Sequence, residues 1–202
     1  MEIAIYFEGG GDSAENKAKL RQGMSAFLKP LVDLARQRRC RWSITSCGGR
    51  GQAFDDFSDA LKKEPEKFNV LLVDSEEAVI ASPRAHLQQR DGWNLQGAQE
   101  EQVHLMAQCM ETRFVADPEA LAEYYDQGFN RNALPRRDNL EDEPKTQIYA
   151  AMESATRQTQ KGSYGKIKHA SKLLTLVSQE KAKTRCHHCD RLFRVVAAKI
   201  QS

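Results

Sequence analysis

The chain has 202 residues, 40% hydrophobic and 29% charged, which is lean but enough to bury a core in one domain or a small domain with an added lobe. Lys and Arg number 30 against 28 Asp and Glu, so the net charge of +2 supplies no whole-molecule attraction to nucleic acid, membranes or acidic partners. No apolar run approaches the roughly 20 residues of a membrane span, and five cysteines do not build a disulfide scaffold. Met1 to Glu8 lacks the basic and long apolar regions of a cleaved signal, so reduced thiols and a cytoplasmic location are expected.

Ile3 to Phe7 reads as a short strand running into the turn Glu8-Gly9-Gly10-Gly11-Asp12. Ala14 to Arg38 follows as a helix whose repeating face is Leu20, Met24, Phe27, Leu28, Leu31 and Leu34, with Pro30 kinking or splitting it. Arg41 to Ser46 is a second strand, closed by Cys47-Gly48-Gly49-Arg50-Gly51, and Gln52 to Glu64 a second helix. Phe68 to Val73 is the clearest strand and stops at Asp74-Ser75-Glu76-Glu77. Beyond Pro83 the pattern predicts helices over Glu100 to Phe114, from the turn Ala116 to Leu121 onward, and over Thr146 to Thr159, Lys166 to Val177 and Arg191 to Ile200. Asn130 to Lys145 reads as a surface loop.

Strand, helix, strand, helix, strand is a parallel α/β pattern. The domain assignment is therefore an α/β core over residues 1–100 and a mainly helical continuation over 101–202, packed together as one unit. In such sheets ligands collect at the carboxyl ends of strands, and both acidic clusters, Glu8/Asp12 and Asp74/Glu76/Glu77, fall there. Carboxylates in this arrangement can hold divalent cations, which activate water and stabilise a leaving oxygen in phosphodiester cleavage. Asp74 and Glu76 would share one side of an extended segment, and the three glycines would let backbone approach a ligand. The alternative is a set of helix caps and solvated loop residues, with Asp12-Ser13 as an N-cap.

Glu8-Gly9-Gly10-Gly11-Asp12 after a first strand and Val73-Asp74-Ser75-Glu76 after a third resemble the TOPRIM fold of topoisomerases, primases and overcoming-lysogenization-defect nucleases. The whole chain also resembles the DUF4276 family, whose hallmarks are matched by His104-Leu105-Met106-Ala107-Gln108-Cys109-Met110-Glu111 and by Tyr164-Gly165-Lys166 with His169-Ala170. The resemblance implies a TOPRIM-like parallel sheet flanked by helices, with a helical C-terminal extension. It implies Mg²⁺ or Mn²⁺ held by Glu8, Asp74 and Glu76 as catalytic carboxylates, with Asp12 and Glu111 completing the metal site. Glu76 stands where those nucleases usually carry aspartate, and Arg113 stands near a position where tryptophan is expected.

Several other groups carry weaker signals. His104 and Glu111, seven apart on the expected helix, can share a face, or His104 can be a packed histidine. Lys166 and His169, with Arg50, are the candidate substrate-binding residues for a phosphate backbone; Tyr164 is placed to stack on a base, unless the lysines form only a solvated face. Cys186-His187-His188-Cys189 has zinc-knuckle spacing but lacks a second close pair, and Gly48-Gly49-Arg50-Gly51 lacks the Lys-Ser/Thr of a P-loop.

The function expected is Mg²⁺- or Mn²⁺-dependent cleavage of DNA or tRNA, with Glu8 as the general base. By analogy with related TOPRIM effectors it extends to a bacterial anti-phage defence system controlled by an ATPase of the AAA or ABC type. A homodimer is a further expectation. The alternatives are a non-catalytic TOPRIM-scaffold subunit that binds a protein partner or nucleotide, and hydrolysis of a small nucleotide.

Overall fold

A computed structural model describes all 202 residues. Strands β1 (Glu2–Glu8), β2 (Arg41–Gly48), β3 (Phe68–Asp74) and β4 (Val103–Met106) form one parallel sheet in the order β2-β1-β3-β4. Helices α1 (Ala14–Phe27) and α2 (Lys29–Gln37) link β1 to β2, α3 (Arg50–Lys63) links β2 to β3, and α4 (Pro83–Asp91) precedes β4. The chain continues through α5 (Thr112–Val115), α6 (Pro118–Tyr125), α7 (Lys145–Thr156), α8 (Lys166–Leu174), α9 (Gln179–Arg185) and α10 (His187–Gln201). This is a TOPRIM-like α/β architecture. No helix is long and apolar enough to cross a membrane.

The strands alternate sides, as their two-residue period requires. Ile3, Ile5, Phe7, Val70 and Leu72 join Leu20, Met24 and Phe27 of α1 and Leu192 and Val196 of α10 in the larger core. Leu71, Val73, Val103 and Leu105 join Ala53 and Phe57 of α3 and Leu87 of α4 in the smaller one. β3 is buried at every position because it lies inside the sheet with helices on both faces, which is why it reads as an unbroken apolar run. β2 is an edge strand, and its first five residues alternate between exposed and half-buried.

Two expectations change, and the choice left open at Pro30 is decided. The segment 100–114 is not one helix: Val103–Met106 forms β4, hydrogen-bonded to β3, so the sheet extends past residue 100 into the stretch assigned to the helical continuation. Four residues are too few for periodicity to separate strand from helix. Pro30 splits the first helix rather than kinking it; it occupies the first turn of α2, where its missing N–H has no intrahelical partner to lose. The last helix begins at His187, so the Cys-x-x-Cys stretch opens α10.

Helix α8 lies against α1 at Gly23, where a Cβ would stand 2.4 Å from the Ser171 carbonyl oxygen. Backbone cannot swing aside as a side chain can. Gly23→Ala is expected to cost about 2 kcal/mol net, overpacking strain outweighing the roughly 1 kcal/mol that alanine returns in helix propensity. A urea midpoint equal to that of wild type would show that the α1–α8 contact yields without strain.

Candidate metal centre

The chain leaves β1 towards β2 on one side and returns to β3 on the other, so the crevice of the sheet opens at the carboxyl ends of β1 and β3. Glu8 ends β1 and Asp74 ends β3. The turn after Glu8 is fixed by its own protein. Gly9 N donates to Gly48 O (2.7 Å), Gly48 N donates to Gly9 O (3.0 Å), and Ser46 Oγ donates to Gly9 O (2.7 Å). Gly9 and Gly10 have φ of +135° and +91°, and a Cβ on Gly10 would lie 2.8 Å from Lys17 Cα. Gly9 and Gly10 are therefore needed for packing against α1. Ser13 caps α1 by accepting from Asn16 N (3.1 Å), while Asp12 is exposed on the turn before it.

Glu8, Asp74 and Glu76 bring one carboxylate oxygen each to within 4.8 Å of one another. The route of Glu76 differs from the extended one expected. The strand stops at Asp74, and Glu76 adopts φ +68°, its N–H donating to Gln108 O (2.9 Å). A residue other than glycine in this region is strained, and such strain gathers at functional sites. Asp74 is 0% exposed; its Oδ1 accepts from Met110 N (2.9 Å), and its own N–H donates to Glu8 Oε2 (3.1 Å).

Two ammonium groups stand over these oxygens. Lys145 Nζ lies 2.6 Å from Glu76 Oε1 and 3.4 Å from Asp74 Oδ2, and Lys166 Nζ lies 3.6 Å from Asp74 Oδ2. Burial, followed by the Asp74 charge, pushes Glu8 up to about 7. Burial also raises Asp74, against the pull of Lys166. Burial would raise Glu76 as well, but the hydrogen bond and charge of Lys145 outweigh it and hold that carboxyl below its usual range.

Glu111 is fully buried; Tyr164 Oη donates to its Oε1 (2.7 Å), while its Oε2 has no partner. Its charge acts on both Asp74 and Lys166. Tyr164 is thereby committed to Glu111, with its ring against Phe114 and His169, rather than offered to a base.

Arg50 reaches the centre from the start of α3. Its Nη1 donates to Asp74 O and stands 4.0 Å from Glu8 Oε2; its Nη2 donates to Asp91 Oδ2 (2.5 Å), and the guanidinium lies 4.9 Å from the Trp93 ring centroid. It clamps the ends of β3 and α4 together. His169 does not reach the carboxylates: it is buried against Tyr124, Tyr125 and Tyr164, and its Nδ1 accepts from Gly165 N (2.9 Å). It fixes the turn that launches Lys166. His104 is on β4, away from Glu111's helix. It is neutral, with Nε2 donating to Glu101 O (3.0 Å) and Nδ1 accepting from Arg191 Nη1 (3.0 Å); burial and then the Arg191 charge push it down to about 3.

Cys186 and Cys189 lie in the larger core, where burial pushes both thiols up. Arg113 is buried beside Cys189, and its Nε and Nη1 lack partners. Lys145 is the residue the sequence reading missed. The sole signal for it is its position directly after Pro144, which marks a helix start.

Three convergent carboxylates with oxygen-only donors fit a hard divalent cation; Glu111 and Asp12 fall outside that cluster. Glu8, Asp74 and Glu76 can thus hold a metal ion. A family described as "Domain of unknown function (DUF4276)" matches residues 7–197, and the chain belongs to that family. No curated protein and no solved structure matches the chain.

Proposed function

We propose that this protein is a Mg²⁺- or Mn²⁺-dependent phosphodiesterase that cleaves DNA or tRNA in the cytoplasm. The observation that carries the reading is the convergence of Glu8, Asp74 and Glu76 at the strand ends, with Lys145 and Lys166 beside them. A carboxylate triad alone would suit many cations, and the adjoining ammonium groups add the means to hold an anionic substrate. A bound divalent cation would activate water and stabilise the leaving oxygen.

Glu8, Asp74 and Glu76 would hold that ion, with the buried Glu111 and the exposed Asp12 acting from outside that cluster. Glu8, at the end of β1 beside the glycine turn, is also the proposed general base for the attacking water. Lys166 leads α8, whose N-terminus has no side-chain cap and adds its dipole to a phosphate. Lys161, Lys168 and Lys172 are exposed around it and would supply the local basic stripe that a balanced net charge demands. The resemblance extends the proposal to an effector of an anti-phage system with an ATPase partner.

The second reading is a non-catalytic scaffold that binds a protein or nucleotide. It is favoured by the same lysines, which already pair the carboxylates. Incubation of the purified protein with plasmid DNA and bulk tRNA in Mn²⁺, beside Glu8→Ala and Asp74→Ala, separates the two. Cleavage that disappears in both variants and in EDTA is the expected outcome. Absence of cleavage in wild type, with and without the ATPase partner, would leave the scaffold reading in its place.

A further inference from the structure

Lys145 opens α7, and its backbone is tied down: Lys145 N donates to Gln108 Oε1 (3.2 Å), and Gln108 Nε2 donates to Glu141 O (3.1 Å). Its ammonium nevertheless sits among the carboxylates, 2.6 Å from Glu76 Oε1 and 3.4 Å from Asp74 Oδ2. Lys166 touches Asp74 alone, at 3.6 Å. A Mg²⁺ ion requires oxygens at roughly 2.0–2.1 Å and would take the same atoms. Two cations cannot share them, because a divalent charge a few ångströms from the ammonium repels it in a site of low dielectric.

The side chain has somewhere to go. It is 21% exposed, and the Tyr149 ring, one turn along α7, already lies 6.0 Å from Nζ. The fixed backbone keeps a displaced ammonium within reach of the centre.

We infer that Lys145 is a displaceable counter-cation: it pairs Glu76 and Asp74 in the metal-free protein and leaves them for the substrate's phosphodiester when a divalent ion enters. The inference rests on the metal-nuclease reading and deepens it. Its consequence is reciprocal coupling. A divalent ion frees the ammonium for the nucleic acid, and the nucleic acid, by engaging the ammonium, vacates the oxygens for the ion. Lys145 then sets how tightly the protein holds metal in the absence of substrate.

Calorimetric titration of Mn²⁺ into metal-free wild type, Lys145→Gln and Lys145→Arg reads the first half. The glutamine is neutral but keeps a donor for Glu76, which guards the fold. Lys145→Gln should bind Mn²⁺ about tenfold more tightly, whereas Lys145→Arg, which keeps the charge, should stay within about threefold of wild type. Anisotropy reads the second half: fluorescein-labelled phosphorothioate DNA and RNA oligonucleotides should bind wild type more tightly with Mn²⁺ than without it. That gain should shrink by more than half in Lys145→Gln. Equal or weaker Mn²⁺ binding by Lys145→Gln would overturn the counter-cation role and leave the metal reading standing. If none of the three proteins binds Mn²⁺, both fall.

Discussion

Asp74→Asn should abolish divalent-metal binding and cleavage while leaving the protein as stable as wild type or more so. Asparagine keeps the shape of the side chain and the Oδ1 acceptor for Met110 N. It removes the negative charge that burial makes costly, since burial pushes the Asp74 carboxyl up even with Lys145 and Lys166 close by. Those lysines are 21% and 31% exposed, so they turn towards water rather than remain as buried unpaired charges. Because burial already disfavours the charge on Asp74, its neutral isostere is expected to be neutral or stabilising, here by about 1 kcal/mol. Loss of an outer-shell partner already weakens metal binding by roughly 10- to 100-fold, and loss of a direct ligand should exceed that. Urea denaturation in EDTA and Mn²⁺ titration measure the two effects separately. A variant that melts early yet binds metal normally would make Asp74 a structural counter-ion.

Between pH 4.5 and 7 the Glu8 carboxyl should withdraw stability from the metal-free protein as pH rises, against an opposite contribution from His104. The Glu8 carboxyl is 13% exposed and held up to about 7 from an ordinary 4.5. A carboxyl raised on folding binds its proton more tightly in the native state than in the unfolded one. Its contribution is therefore fully present below the unfolded value and lost as pH rises through the folded one. The interval corresponds to about 3 kcal/mol. Asp74, also raised, acts in the same direction. Glu76 is lowered, so its opposite contribution is complete above its ordinary value of 4.5. His104, pushed down to about 3, adds stability as pH rises to its ordinary 6.5, so the Glu8 contribution is read as the difference between wild type and Glu8→Gln. In urea melts run in EDTA between pH 4.5 and 8, the difference between wild type and Glu8→Gln should fall as pH rises. A variant with the wild-type slope would remove Glu8 as its source.

The same energetics describe a site built against the stability of its scaffold. Three carboxylates, a glutamate in left-handed backbone and a buried Glu111 oxygen without a partner are each unfavourable for folding alone. Lys145 and Lys166 offset part of that cost while the site holds no ion.

The sequence by itself determined the first three strands, the helices between them and the placement of Glu8, Asp74 and Glu76 at strand ends, because these follow from local periodicity and from where apolar runs stop. Tertiary structure alone decided the rest. Val103–Met106 became β4 because β3 offered an edge for it to pair with, a fact no four-residue window carries. Glu76 reached the triad through a left-handed turn held by Gln108 O, not through strand alternation. His104 and His169 became packing and turn-fixing groups because Arg191 and a cluster of tyrosines, distant in sequence, closed over them. Lys145 arrives from 71 positions beyond Asp74, and its contact with the carboxylates exists only once α7 has docked. Periodicity reports which face of an element is buried; which charges meet across that face is set by long-range packing, and there the chemistry of this centre was decided.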